Sequence, residues 1–279
     1  MPLGCHVSIK GGLNRAVERA VQLGCDTFQV FTRSPRMWRA RPLPPSEVEA
    51  FKAGVKRHQL APVFSHMPYL PNLATTEEPI YSKSVEALTE ELRRCKSLGI
   101  PYVVVHLGSH KGKGLQTGHT QVVKALEKAT EAVPKHPKIL LENTSGKPND
   151  VGSTIQELAQ IADATPLQLG FCLDTCHAYA RGYDLASPQG LRDTLEALES
   201  HLGWENLELV HLNDSLGELG SRLDRHTHIG LGRIGLEGFK NLLLSPLGEK
   251  PLILETPVDQ VRGDHWNLEV VRGLLRNRE

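Results

Sequence analysis

The chain has no surplus of either charge and no long apolar segment. Its 279 residues include 32 Lys plus Arg and 32 Asp plus Glu, so net charge gives no argument for nucleic acid or an anionic membrane as a partner. The longest apolar runs, such as YVVV and LILE, fall far short of the ~20 residues that span a bilayer. The opening stretch MPLGCHVSIK also lacks the basic and apolar regions of a signal peptide. We therefore expect a cytoplasmic protein with no membrane partner.

Cysteine is sparse, and the usual nucleotide-binding glycine motifs are missing. The five cysteines are an odd number spread over a large chain, which predicts reduced thiols rather than disulfides. No GxxxxGK[ST] occurs, and no GxGxxG follows the first apolar run. The sequence GLGRIG at 230–235 has the glycine spacing but follows a polar loop, so we interpret it as a turn.

Short apolar runs separated by helix-period segments are the main pattern present. Eight such runs are candidate strands without strict alternation, which is typical of parallel strands covered on both faces. They are PLGCH (2–6), TFQVF (27–31), PVFSH (62–66), YVVVH (102–106), KILLE (138–142), LGFCLD (169–174), LELVH (207–211) and LILE (252–255). Leu-Gly pairs at 23–24, 98–99 and 202–203 predict helix ends before the next strand. The repeated unit favours one (β/α)8 TIM barrel over 1–279 rather than an open doubly wound sheet.

Ligand-type side chains close six of these runs. They are His66, His106, Glu142, Asp174, His211 and Glu255. Each alone could be a polar residue entering a loop, but in a barrel the carboxyl ends of the strands converge at one face. Imidazole and carboxylate groups are ligands for zinc, with Mn or Fe as competitors, and clustered carboxylates repel one another without a cation. The pattern therefore predicts a metal site at that face.

Three further residues extend this set. His177 lies three residues after Asp174, and Asp224 and His226 occur in SRLDRHTHIG. Side chains at i and i+2 of an extended segment point to the same side, so this last pair could chelate one ion. A solvated loop of mixed charge is the alternative for the pair.

The sequence also matches family motifs along nearly its whole length. They are GCHVSIKGGL, QVFTRSPRMW, SHMPYLPNLA, VVVHLGSH, LLENTSG, CLDTCHAYARGYD, VHLNDS, DRHTHIGLGRIG and LILETP. In these segments the chain resembles the endonuclease IV family of apurinic/apyrimidinic endonucleases, which are zinc-dependent DNA repair enzymes with a (β/α)8 barrel. The resemblance implies three Zn²⁺ ions per chain, with Mn²⁺ or Fe²⁺ as alternatives at one or more sites.

The ligand sets implied by this resemblance use nine residues. One ion is expected on His66, His106 and Glu142, a second on Glu142, Asp174, His211 and Glu255, and a third on His177, Asp224 and His226. The implied activity is hydrolysis of duplex DNA 5' to an abasic site, leaving a 3'-hydroxyl and a 5'-deoxyribose phosphate, with 3'-repair diesterase activity as well. Glu142 and Glu255 would orient the attacking hydroxide, and Glu255 is the candidate proton acceptor.

Two basic loops are candidate DNA contacts. TRSPRMWRAR (32–41) places Arg33, Arg36, Arg39 and Arg41 around Trp38, which suits phosphate contact and minor-groove insertion. The alternative is a solvated loop with the tryptophan packed on the barrel. By resemblance, Arg36 and Tyr69 would enter the gap at the lesion. GSHKGKG (108–114) offers Lys111 and Lys113 for the DNA backbone, or is a mobile surface loop.

Two other functions remain open on the residues alone. A sugar isomerase or epimerase on the same barrel needs a Glu, Asp, His, Glu metal site, which Glu142, Asp174, His211 and Glu255 supply. The other five of the nine candidate ligands would then have no role. A non-catalytic DNA-binding module is disfavoured by the balanced charge.

We expect a monomer, with His6 as a structural or supporting residue and no assigned role for His110 or His228. Cys172 should pack inside the barrel, and Cys176 should support the turn after it.

Overall fold

The computed structural model describes residues 1–276 and contains a closed barrel of eight parallel strands. The barrel strands are β1 (Leu3–His6), β2 (Thr27–Val30), β3 (Val63–His66), β4 (Tyr102–Val105), β5 (Lys138–Glu142), β6 (Gly170–Asp174), β7 (Leu207–His211) and β10 (Leu252–Leu254). Neighbouring barrel strands follow the order β1-β10-β7-β6-β5-β4-β3-β2, and β2 closes the ring against β1. All eight lie within the runs predicted from the sequence, and the barrel prediction is confirmed.

Helices surround the barrel, and a small hairpin interrupts the pattern after β7. The helices are α1 (Leu13–Gln22), α2 (Pro45–Arg57), α3 (Ile80–Leu98), α4 (Leu115–Glu131), α5 (Ile155–Asp163), α6 (Thr175–Arg181), α7 (Pro188–Leu202), α8 (Gly235–Leu244) and α9 (Asp264–Arg276). The hairpin pairs β8 (Asp214–Ser215) with β9 (His226–Thr227), and short 3-10 turns cover Trp204–Asn206 and Pro246–Glu249. None of the helices in the described residues is long and apolar enough to cross a membrane.

Two apolar layers explain why the strands are continuous hydrophobic runs. One layer fills the barrel interior and consists of Phe64, Val104, Leu140, Cys172, Leu209 and Ile253. Alternate residues of the same strands, such as Val103 and Val105, face the helices in the larger core. Each strand is therefore buried on both sides, as in other parallel barrels. Cys172 lies inside the barrel as predicted.

The helix connections follow the sequence signals. Gly99 ends α3 in the left-handed conformation, with φ 70° and ψ 24°, and its N–H bonds back to the last turn. A side chain with a Cβ is strained there, which accounts for glycine at this position. On α3 the residues Leu88, Leu92, Cys95 and Leu98 recur at spacings of three and four and form a buried stripe, with Val85 half-buried at its edge.

GLGRIG forms a turn that wraps around one buried carboxylate. Asp214 Oδ2 accepts from the backbone N–H groups of Gly230 and Gly232, each at 2.9 Å, and Oδ1 accepts from Ile234 N at 3.0 Å. These bonds satisfy backbone donors that a buried loop would otherwise leave unpaired. Asp214 also pairs with Thr227 in the hairpin, so the turn fixes the segment that carries His226.

Candidate metal centre

The six strand-end residues predicted from the sequence converge at the carboxyl face of the barrel. They end or directly follow β3, β4, β5, β6, β7 and β10, which are consecutive neighbours around the ring. The remaining two strands complete the circle with His6 on β1 and Gln29 on β2. An open cavity of about 730 Å³ lies over this face. The ligand-type side chains are therefore concentrated at the floor of one cavity.

Glu142 lies at the centre of the cluster and is fully buried. Its Oε2 is 3.0 Å from His66 Nε2 and 3.3 Å from His106 Nε2. Its Oε1 is 3.1 Å from Nδ1 of His211 on the opposite side. One carboxylate therefore joins two groups of residues, in the arrangement by which a carboxylate bridges two ions.

The second group lies on the β7 and β10 side of Glu142. Ligand atoms of Glu142, Asp174, His211 and Glu255 all lie within 4.8 Å of one another. His211 Nδ1 is 3.4 Å from Glu255 Oε2 and 4.0 Å from Asp174 Oδ2. One imidazole nitrogen thus faces three carboxylates, a donor set that suits a divalent cation.

The third group contains His177 and His226 together with two aspartates. His177 Nε2 is 3.2 Å from Asp224 Oδ1, and His226 Nε2 is 3.8 Å from the same atom. Asp174 also lies within reach of both histidines, with its Oδ2 3.6 Å from His226 Nε2. The family resemblance implied Asp174 for the second set alone, whereas the fold brings it beside the third as well.

Backbone carbonyls fix the ring orientation of three of these histidines. Nδ1 of His66 is 2.7 Å from the Met67 carbonyl, and Nδ1 of His226 is 3.1 Å from the Glu255 carbonyl. His177 Nδ1 is bound in the same way to the Asn143 carbonyl at 3.0 Å. A carbonyl only accepts, so Nδ1 of each ring carries a proton, and Nε2 is the nitrogen that faces the carboxylates and can exchange a proton for a metal ion.

This arrangement fits a bound cation. Within the described residues, His226 Nε2 is buried with no hydrogen-bond partner, and a lone pair directed at carboxylate oxygens is repulsive. A metal ion between these atoms satisfies both sides, and a histidine held by a hydrogen bond from its second nitrogen is the common form of a metal-binding imidazole. The donor set is nitrogen and oxygen only, which suits zinc and also admits manganese or iron.

The electrostatics of the cluster also call for positive charge. Burial lowers the pKa of His66, but its hydrogen bond to Glu142 and the charge of that carboxylate raise the pKa by more. Burial likewise opposes charge on His177, yet Asp174 and Asp224 hold its pKa well above the ordinary value. The carboxyl of Glu142 has a pKa well below its usual range in spite of burial, because imidazoles surround it. Protons thus balance the carboxylates until a metal displaces them, and metal affinity must decrease as pH falls.

Two asparagines beside the cluster were missed by the sequence analysis. Asn143 follows Glu142 and holds the backbone of Asp174 through both its amide atoms, at 2.7 and 3.1 Å. Asn213 donates to Asp174 Oδ2 at 2.7 Å and accepts from Glu255 N at 2.8 Å. Their positions within two residues of a strand-end ligand were the signal available in the sequence.

The histidines outside the nine predicted ligands have separate positions. His6 Nδ1 is 3.4 Å from Glu255 Oε1, which agrees with a supporting role. His228 Nε2 bonds Asp259 at 3.1 Å, away from the cluster. His110 Nδ1 accepts from the backbone N–H of Gly114 and shapes the 108–114 loop.

The predicted DNA-contact residues differ in exposure, and one of them lines the cavity. Tyr69 lines the cavity and is 68% exposed. Arg36 is exposed, whereas Trp38 is half-buried and packs against the main core. Lys111 and Lys113 lie exposed on their loop. The fold does not bring them into contact with the ligand cluster.

Two arginines of the 32–41 loop differ from the prediction of a basic surface. Arg33 is buried, with Nη1 donating to the Trp38 carbonyl at 2.6 Å and Nε 3.4 Å from Glu91 Oε2. Arg41 is exposed but pairs with Glu47 at 2.7 Å. The surface interpretation of Arg33 was wrong, because a carboxylate distant in sequence lies beneath the loop.

Comparisons with known proteins agree with this geometry. A family model described as a xylose isomerase-like TIM barrel matches residues 17–277. A protein from Methanoculleus marisnigri named "Probable endonuclease 4" is 50% identical over 276 residues, covering 98% of each chain. The chain belongs to the endonuclease IV family. The crystal structure of endonuclease IV from Thermus thermophilus is 42% identical, with a TM-score of 0.89 over 99% of this chain and 100% of that one.

Membership in the endonuclease IV family confirms the resemblance found in the sequence and makes the chain a hydrolase of the endonuclease class. A D-tagatose 3-epimerase-like protein superimposes with a TM-score of 0.73 over 99% of this chain and 98% of that one. At 20% identity, this likeness shows a shared barrel. It gives no support to the sugar isomerase alternative beyond the fold.

Proposed function

We propose that this protein is a DNA repair enzyme that hydrolyses the phosphodiester 5' to an abasic site in duplex DNA. The products are a 3'-hydroxyl and a 5'-deoxyribose phosphate, and the same site trims blocked 3' ends as a diesterase. The observation that carries the proposal is the set of three adjoining ligand groups that share Glu142 and Asp174. A sugar isomerase needs one such group, whereas two histidine-rich groups here lie beyond it.

Three Zn²⁺ ions per chain fit these groups, with Mn²⁺ or Fe²⁺ able to replace zinc. His66, His106 and Glu142 hold the first, and Glu142, Asp174, His211 and Glu255 hold the second. His177, Asp224 and His226 hold the third, with Asp174 close enough to contribute. When bound, the ions supply positive charge for the phosphate oxygens and lower the pKa of water to near neutrality.

The carboxylates at the floor of the cavity orient the attacking water. Glu142 faces it from the centre of the cluster, and Glu255 lies at the cavity wall. Glu255 keeps a pKa well below its usual range, because the charge of His211, with contributions from His6 and His66 nearby, outweighs burial. It is therefore ionised at neutral pH and able to accept a proton from the water.

Damage recognition uses the exposed side chains around the cavity. Extruding a nucleotide costs least where no base is stacked or paired. Tyr69 and Arg36 are the proposed probes of that gap, and Trp38, Lys111 and Lys113 contact the surrounding DNA. Arginine and lysine suit phosphate contacts. The enzyme works on abasic DNA as a cytoplasmic monomer with reduced thiols, and all five cysteines are free.

The decisive experiment is incision of a duplex that carries one tetrahydrofuran abasic analogue. With zinc or manganese present, we expect a single cut 5' to the analogue and a product that a polymerase extends from its 3'-hydroxyl. Glu255→Gln should lower the incision rate by about 10²-fold, the lower end for a general base, and leave duplex binding intact. Absence of incision by the metal-loaded wild type contradicts the proposed function, and full activity of the variant removes Glu255 from it.

Arg36→Ala tests recognition separately from the metal site. Loss of one phosphate contact should weaken binding to abasic duplex and reduce the salt dependence of binding by about one unit of slope. Arg57→Ala is the matched control, since Arg57 is an exposed arginine at the end of α2, at the opposite end of the barrel. Zinc content should be equal in both variants. A drop in zinc with Arg36→Ala contradicts its assignment to DNA.

A further inference from the structure

Gln29 is a buried amide at the one part of the ring that carries no proposed metal ligand. It lies on β2, fully inaccessible to solvent, between His6 on β1 and the ligand cluster. A buried amide must satisfy its donors and acceptor within the protein. The contacts of this side chain therefore show what it is used for.

The hydrogen bonds of its amide go to the metal cluster and to His6. Gln29 Oε1 is 2.9 Å from His211 Nε2. Its Nε2 donates to Glu255 Oε1 at 2.6 Å and lies 2.9 Å from His6 Nδ1. One amide thus links two proposed ligands of the second ion, although the residues are 182 and 226 positions away in sequence.

These three bonds define a single orientation of the amide. The amide oxygen only accepts, so His211 Nε2 carries the ring proton and Nδ1 is left for a cation. Rotating the amide by half a turn would oppose its oxygen to the Glu255 carboxylate and its NH₂ to the His211 N–H. Both contacts would be repulsive. The orientation of Gln29 is therefore determined by its partners, and in turn it fixes theirs.

We propose that Gln29 is a positioning residue for the second metal ion. It holds the His211 ring so that Nδ1 faces the Glu142, Asp174 and Glu255 carboxylates, and it sets the rotation of the Glu255 carboxylate. This inference rests on the proposed function, because it concerns one ion of the proposed centre. Residues that hold metal ligands in this way typically change metal affinity by about 10- to 100-fold when they are replaced.

The test uses Gln29→Met, which keeps the length of the side chain and removes its hydrogen bonds. Zinc affinities are measured by chelator competition, and the visible absorption of the Co²⁺-loaded protein reports ligand geometry. We expect one ion to bind about 10- to 100-fold more weakly and its Co²⁺ band to shift, with the other ions unchanged. Ser65→Ala is the control, because Ser65 is also buried and polar on the next strand but bonds Glu91 on the helix side.

Each outcome separates this inference from the proposed function. Wild-type protein that takes up no zinc overturns both. If the wild type binds zinc but Gln29→Met has the same zinc affinities and the same Co²⁺ spectrum, only the role of Gln29 is overturned. The same conclusion follows if Gln29→Met and Ser65→Ala lose all ions equally. If Gln29→Met does not fold, ¹⁵N-histidine spectra of the zinc-loaded wild type decide. A slowly exchanging proton on His211 Nε2 supports the inference, and a proton on Nδ1 overturns it.

Discussion

Glu142→Gln should remove the two ions that share this carboxylate and lower incision by about 10³-fold or more, since metal stabilisation of a transition state is worth several kcal/mol. The substitution keeps the shape of the side chain but deletes the charge within 3.3 Å of nitrogens of His66, His106 and His211. Metal analysis of the purified protein should give about three ions for the wild type, as the three groups predict, and one for the variant.

Glu208→Gln is the matched control for this substitution. Glu208 is also a barrel carboxylate, but it lies near the start of β7, at the opposite end of the barrel, and pairs with Lys138 at 2.7 Å. Its replacement should leave metal content and incision unchanged. Three ions retained by Glu142→Gln would contradict the bridging role of this carboxylate, even if activity were lost.

The strands and their terminal ligands could be predicted from sequence because the responsible physics is local. A run such as YVVV is buried on both faces, and the residue after it, His106, must enter the carboxyl face of a parallel barrel. Once the barrel is predicted, the meeting of the six strand-end ligands at one face can be predicted as well. The hairpin residues Asp224 and His226 were different, since nothing local shows where a polar loop folds back. Only the resemblance to a family assigned them to a site.

The supporting contacts could not be predicted because they join residues far apart in the chain. Gln29 appears in sequence as one polar residue within an apolar run, and its partners lie on β7 and after β10. Arg33 appears as one of four arginines in a basic loop, while its carboxylate partner is on α3. Glutamine and arginine side chains are both common on protein surfaces, so residue type alone does not indicate that these two are buried. Only the closed barrel and its helix layer show that the side chain is buried.

Glu91→Ala should strongly destabilise the fold without touching the metal centre. Glu91 is fully buried on α3, with Oε2 3.4 Å from Arg33 Nε and Oε1 accepting from Thr32 and Ser65 at 2.8 and 2.6 Å. Removing one partner of a buried ion pair leaves the other charge uncompensated and costs about 3–5 kcal/mol. For a chain of this size that corresponds to a fall in the unfolding temperature of roughly 10 °C, measured by thermal unfolding of metal-loaded protein.

The same substitution should weaken binding of abasic DNA, because this network anchors the loop that carries Arg36 and Trp38. Arg33 holds the Trp38 carbonyl, and Arg94 donates to the carbonyls of Thr32 and Arg41 at 2.5 and 2.8 Å. Glu90→Ala is the control, since Glu90 precedes Glu91 on α3 but is partly exposed and lies 3.9 Å from Arg94. Because the Glu90 side chain is 40% exposed and solvated, its loss should cost about as little as that of an exposed pair, roughly 0–1 kcal/mol, so the control should unfold within a few degrees of the wild type and bind DNA equally well. Equal unfolding temperatures for the two variants would contradict the predicted effect of Glu91 on stability, and equal affinities for abasic DNA would show that Glu91 is not what holds the loop.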